Sequence, residues 1–161
     1  MLGNAVTAYL DALKMLARRE LSEAQVRQRL ARRGHAADVI DAAIDRLREE
    51  HAIDDSRVAE AIARTQSIVR GRGKLRVRRQ IEAAGIGRAD AQRALDEVLK
   101  DVDSDALLEA ALVRRLRGRT RVADDREFQR LYRHLVGQGF EPDRVLRALK
   151  ARFRRDVDPS D

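Results

Sequence analysis

Gln28-Arg-Leu-Ala-Arg-Arg-Gly34, Arg79-Gln-Ile-Glu-Ala-Ala-Gly85 and Arg133-His-Leu-Val-Gly-Gln-Gly139 are one pattern written three times, roughly fifty residues apart. Four residues before each glycine stand Leu30, Ile81 and Leu135, and eight before it Val26, Val77 and Leu131, which is the spacing of one helical face. His35, Ile86 or Phe140 follows the glycine at once, and Ile44, Leu95 or Leu149 stands ten residues on. The pattern predicts a helix, a tight turn on a left-handed glycine, and a second amphipathic helix.

A further helical stretch precedes each pair, and its neighbours carry capping chemistry. Ser22 with Gln25 three residues on forms a capping box between the apolar pair Leu21 and Val26. Asp54 stands between Ile53 and Val58, and Asp103 between Val102 and Leu107, each setting a carboxylate at the positive end of a helix. Helices are expected near 5–18, 22–33 and 37–50, then 55–70, 74–84 and 88–100, then 104–117, 125–137 and 142–154, with tails at 1–4 and 156–161. No sustained period-two alternation marks a strand, so the fold class is all-α. Three repeats of three helices follow, 5–51, 52–101 and 102–155. Three short helices enclose only a small core, so these helix-turn-helix-like units must pack on one another in an elongated array.

Composition excludes several classes. The chain has 161 residues, 34 Lys+Arg against 27 Asp+Glu and a net charge of +7, yet 43% of it is hydrophobic, enough to build a core. Cysteine is absent, which removes disulfides, thiolate metal sites and cysteine nucleophiles. Mean hydropathy is −0.54, and no run nears the roughly 18 apolar residues of a membrane span. The first residues, Met1 to Tyr9, carry no basic group before their apolar positions, so the expected location is cytoplasmic.

Catalytic motifs fail one by one. Gly71-Arg-Gly-Lys74 has Ile68 and Leu75 where a phosphate loop needs a glycine and a hydroxyl. Asp101, Asp103 and Asp105 open like a calcium loop, but Ala106 replaces its turn glycine and Leu112 its terminal glutamate. His35, His51 and His134 lack a second ligand at helical spacing. The pairs Asp54-Asp55 and Asp124-Asp125 stand at helix starts and read as caps. No serine occupies a strand-turn-helix elbow. No catalytic residue, metal, cofactor or small-molecule substrate is expected.

Cations, by contrast, are segregated. From Ala61 to Ile81 come Arg64, Arg70, Arg72, Lys74, Arg76, Arg78 and Arg79 without an acid, and from Ala110 to Val122 come Arg114, Arg115, Arg117, Arg119 and Arg121, again without one. Further cations follow between Arg144 and Arg155, while acids gather between Asp96 and Glu109. Arginine's planar fork suits bidentate contact with phosphate or carboxylate. Candidate binding residues are therefore Arg70, Arg72, Lys74, Arg76 and Arg79, with Arg114, Arg115 and Arg117 as a second set. Gly34, Asp54, Asp55, Gly85 and Gly139 are structural candidates. Four of the few aromatic residues, Phe128, Tyr132, Phe140 and Phe153, fall at core-like offsets of the last repeat. Base stacking is thus poorly supplied, and contact with nucleic acid should be electrostatic and independent of sequence.

A family resemblance rests on Ala12-Leu-Lys-Met-Leu-Ala-Arg18, Leu21-Ser-Glu, Leu30-Ala-Arg-Arg-Gly34, the distinctive Ile53-Asp-Asp-Ser-Arg-Val-Ala59, Gly71 to Gly73, Ile81-Glu-Ala-Ala-Gly-Ile86 and Leu135-Val-Gly-Gln-Gly-Phe140. In order and spacing, residues 8–153 resemble the bacterial RecX regulators of the RecA recombinase. Val58 stands where that family commonly has an aromatic residue, and His35 where it has an aromatic or aliphatic one. The resemblance implies three tandem repeats in a curved molecule lying in the groove of a RecA filament on single-stranded DNA. It further implies a negative regulator that blocks filament extension or promotes disassembly. ATP hydrolysis, strand exchange and the LexA cleavage behind the SOS response would all fall. Single-stranded DNA is the implied nucleic-acid partner, with duplex DNA weaker, and no membrane is involved. The other reading is a sequence-independent or transcriptional DNA-binding protein, which would hold duplex DNA without any recombinase.

Overall fold

Ser22 is fully buried. Its hydroxyl accepts the Gln25 amide at 3.2 Å while the Gln25 side chain accepts the Ser22 amide at 3.0 Å, so the capping box forms as the spacing requires. The Asp54 carboxylate accepts the Arg57 amide at 3.1 Å, that of Asp103 the Asp105 amide at 2.9 Å, and that of Asp124 the Glu127 amide at 2.8 Å. These starts organise a computed structural model that describes residues 2–153, an all-α fold of nine α-helices with no strand among the described residues. The helices are α1 (Leu2–Leu16), α2 (Glu23–Arg32), α3 (Ala37–Glu49), α4 (Asp55–Ala63), α5 (Lys74–Ala83), α6 (Arg88–Leu99), α7 (Ser104–Leu116), α8 (Asp125–Gly137) and α9 (Pro142–Phe153).

Two local readings need correction. Residues 2–4, expected as a tail, belong to α1. Gly3 and Asn4 are poor helix formers, but the first turn, whose amides lack intrahelical partners anyway, tolerates them. The helix expected over 55–70 is α-helical only to Ala63 and continues as a π-helical segment, Arg64–Val69. The tail expected at 156–161 lies outside the described residues, as do Arg154 and Arg155.

The chain forms two compact units. One comprises residues up to 62 together with 80–97, the other 63–79 together with residues from 98 on. The stretch 52–101 is thus shared between them. In the first unit α1, α2 and α3 pack on one another around Ala12, Leu21, Val26, Leu30, Ile44 and Leu47. In the second, α7, α8 and α9 enclose Leu112, Leu116, Leu131, Leu135, Phe140 and Leu149. The apolar positions of the first and third copies of the pattern fill these two cores, and those of the second, Val77, Ile81, Ile86 and Leu95, are buried as well, each buried aliphatic contributing about 1.5–3 kcal/mol.

All three pattern glycines adopt left-handed angles, with φ of +87° at Gly34, +83° at Gly85 and +98° at Gly139. Only two of them are also crowded. A Cβ at Gly85 would overlap the Ala24 side chain at the start of α2, and one at Gly139 would overlap Arg76 at the start of α5, whereas Gly34 has nothing within 4 Å. Beside Gly85, the Ser22 hydroxyl donates to the Ala84 carbonyl, and the Asp55 carboxylate accepts the Glu23 amide at 2.9 Å. The start of α2 is held from both sides. Ser22→Ala removes the cap, at about 1 kcal/mol, and strands a buried carbonyl, at about 1–2 kcal/mol. A lower urea midpoint at an unchanged m-value, their product amounting to that sum, is the expected result, and a loss under about 0.5 kcal/mol would contradict it.

Glu127, in the first turn of α8, is buried and accepts the Ala123 amide at 2.7 Å and the Arg119 guanidinium at 3.0 Å. Arg119 first, and the Ala123 amide second, hold its carboxyl at about 2, below the ordinary 4.5. A depressed carboxyl binds fewer protons folded than unfolded, so its stabilisation is complete above pH 4.5 and fades as pH falls towards 2. Glu127→Gln should cost about 1–2 kcal/mol at pH 7 and flatten the acid limb of the stability profile. Parallel acid titrations followed by circular dichroism measure both effects.

Candidate nucleic-acid interface

The eight candidate cations all belong to the second unit. Their placement begins with backbone, not charge. Past the π-helical segment the chain turns at Gly71, with φ +63°, and enters α5 through Gly73, which is buried. The Gly73 amide donates to the Gln138 carbonyl at 2.8 Å and the Leu75 amide to the Gly139 carbonyl at 3.1 Å. A Cβ at Gly73 would overlap the backbone of Gly139 and Phe140. Gly71-Arg-Gly-Lys74, which fails as a phosphate loop, is thus a site of close backbone approach that fixes the first turn of α5 on the turn between α8 and α9.

That anchorage crowds cations together. Burial first, then the charges of Arg76 and Arg70, lower the pKa of the Arg72 guanidinium. Arg72 donates to the Gln66 side chain at 2.8 Å, Arg76 to the Gly137 carbonyl at 3.4 Å and Arg79 to the Leu75 carbonyl at 3.3 Å. The Arg114 guanidinium lies so close to Gly71 that a Cβ there would overlap it, so the two candidate sets meet at this point. Arg115 stands near His134, whose imidazole is lowered first by burial and then by that charge. Arg117 ends α7 in left-handed conformation, with φ +50°, and lines with Arg115, Arg119 and Arg130 a concavity of about 260 Å³.

Lys74 differs from the others, since it pairs with Glu141 at 2.9 Å. None of the seven arginines has a carboxylate partner among the described residues. Three features escaped the sequence reading. Glu141, the Lys74 partner, is far away in the chain. Val69 and Ile68, 73% and 46% exposed, leave an apolar step before Arg70, and Val113, 47% exposed, leaves another before Arg114. A basic concavity on the first unit was divided between two short arginine groups. Asp54, Asp55, Gly34 and Gly85 take the capping and turn positions of the first unit described above, whereas Gly139 lies against Arg76 within the second.

Comparison with known proteins agrees with this architecture. The family model described as RecX, first three-helix domain, matches residues 8–47. The chain is 37% identical over 151 residues to the regulatory protein RecX of Halorhodospira halophila, covering 92% of this chain and 91% of that one. The chain belongs to the RecX family. To the RecX of Chromohalobacter salexigens it is 34% identical over 139 residues, covering 86% and 88% of the two chains. Among solved structures, a regulatory protein RecX superposes with a TM-score of 0.75 at 23% identity, over 92% of this chain and 72% of the other. RecX from Lactobacillus salivarius superposes with a TM-score of 0.73 at 19% identity, over 94% and 99%. The RecX fold is thus the all-α fold that the helical periodicity requires. Among the described residues no helix is long and apolar enough to cross a membrane.

Proposed function

We propose that the chain is a non-enzymatic, cytoplasmic negative regulator of the RecA recombinase, binding the RecA filament on single-stranded DNA. Binding limits filament extension and with it ATP hydrolysis, strand exchange and cleavage of the LexA repressor. Membership of the RecX family supports this reading, and one observation carries it: seven arginines of one unit have no carboxylate partner among the described residues, with Arg70 and Arg76 close enough to act on Arg72 and Arg114 against Gly71, on backbone pinned by Gly73 and Gly139. Crowded like charges raise the free energy of the unbound protein, and an anionic partner relieves them. Arg70, Arg72, Arg76 and Arg79, with Arg114, Arg115 and Arg117, are the proposed contacts to DNA phosphates or to an acidic filament surface.

The organisation into repeats 5–51, 52–101 and 102–155 belongs to the same proposal. It is supported by Gly85 resting on Ala24 and Gly139 resting on Arg76, each a pattern glycine against the first turns of a preceding second helix. Several modest contacts then add along the filament, as multivalent binding requires.

Co-sedimentation with RecA filaments on single-stranded DNA, beside naked single strands and duplex, tests the function. Preference for the filament is expected. Duplex binding that ignores the recombinase would overturn it in favour of an independent DNA-binding protein. Because Glu141 already neutralises Lys74, Lys74→Ala should weaken filament binding less than about twofold, whereas Arg76→Ala should weaken it about three- to tenfold. Titrated inhibition of the RecA ATPase ranks the two.

A further inference from the structure

Six cations converge on one concavity of the first unit. Lys14, Arg18 and Arg19 come from the end of α1 and the residues after it, and Arg29, Arg32 and Arg33 from the end of α2. With Met15 they line about 430 Å³, and no carboxylate lines it among the described residues. Arg33 is engaged by Asp11 at 3.0 Å. Arg18, Arg19, Arg29 and Arg32 have no carboxylate partner among the described residues. Arg18, Arg19 and Arg32 are exposed and Arg29 is half-buried.

Helix ends attract cations, which is the plain structural explanation to set aside. The carboxyl end of a helix is worth about half a negative charge. Two such ends and Asp11 therefore balance about two of the six cations, and several positive charges remain facing a shared open space. We propose that this concavity is a phosphate-binding site taking the sugar-phosphate backbone of a single-stranded nucleic acid, in addition to the arginine cluster of the second unit. It does not depend on the recombinase reading, since its ligand is the bare strand.

The lining favours phosphate over an acidic protein surface. Met15 is only 8% exposed, and the concavity presents no aromatic or exposed apolar anchor of the kind that carries protein interfaces. Guanidinium forks match phosphate oxygens bidentately, and without a stacking platform they read no base. A flexible single strand can bend its phosphates into a recess between two helix ends, whereas duplex phosphates keep their own spacing.

The test uses the full chain and a fluorescein-labelled oligothymidylate, followed by anisotropy across a salt series without recombinase. The variant carries Arg18→Ala, Arg19→Ala, Arg29→Ala and Arg32→Ala, leaving Arg33 on Asp11. Its affinity at about 0.1 M salt should fall about 10–100-fold, and its salt slope should drop by about 2–3, since each single-strand phosphate contact contributes about 0.7. The matching set of Arg→Lys changes should keep the salt slope, because the charge is kept, while losing part of the affinity with the bidentate forks. Affinity and slope within twofold of the parent, at unchanged helical circular dichroism, would overturn the site. So would a variant that binds the strand normally yet loses RecA filaments, because the concavity would then face protein. Failure of the RecA proposal shows up in co-sedimentation alone and leaves the bare-strand result standing.

Discussion

Gly73→Ala is expected to destabilise the second unit by about 3–5 kcal/mol and to lower its melting midpoint by more than about 10 °C. The added methyl has no flexible neighbour to displace, because it meets the backbone of Gly139 and the Phe140 nitrogen. Relief requires the start of α5 to leave the turn between α8 and α9, which breaks the Gly73–Gln138 and Leu75–Gly139 hydrogen bonds at 2.8 and 3.1 Å. Each break leaves polar backbone groups without partners at about 1–3 kcal/mol. The penalty is spatial, since Gly73 is not among the positive-φ glycines. Gly137→Ala is the control: it lies at the end of α8 with nothing within 4 Å, and alanine there should be neutral or stabilising by up to about 1 kcal/mol. Thermal and urea unfolding of both variants decide the matter, and a Gly73→Ala cost below about 1 kcal/mol would show that the close approach is not maintained in solution.

Replacing Arg70, Arg76 and Arg114 together by alanine is expected to weaken the proposed inhibition of the RecA ATPase by at least tenfold while leaving the melting midpoint unchanged or slightly higher. The opposite signs follow from one cause. These guanidinium groups have no carboxylate partners among the described residues, and Arg70 and Arg76 both lower the pKa of Arg72, so they repel within the folded protein. Removing them relieves that repulsion and deletes the charge offered to an anionic partner. Inhibition that persists at matched helicity would exclude the cluster as the contact surface, and a fall in stability parallel to the loss of inhibition would reassign the three arginines to structure.

How much of this was legible in the sequence depends on whether the signal is local. Helix periodicity, the Ser22–Gln25 box, the caps at Asp54 and Asp103 and the left-handed glycines are properties of short segments, and each appears where its spacing puts it. The π-helical segment was not legible, because polarity misleads there. Ser67 is fully buried while Ile68 and Val69 face out, the reverse of what hydrophobicity suggests. The cationic runs were visible as runs, yet the meeting of Arg114 with Gly71 and the neutralising of Lys74 by Glu141 join residues far apart in the chain. The basic concavity of the first unit was hidden for a related reason. Glu20 and Glu23 sit between its two arginine groups in sequence and dilute the local charge, whereas folding brings the arginines together and pairs Glu23 with Arg27 and Arg48.

The open surroundings of Gly34 carry an evolutionary consequence. Asparagine tolerates left-handed angles better than other residues but brings a Cβ, so a drift from glycine to asparagine at position 34 meets only the backbone cost of its positive φ, while at positions 85 and 139 the same drift also collides with an adjoining helix. The same left-handed turn is therefore replaceable at the first position and held to glycine by its neighbours at the other two.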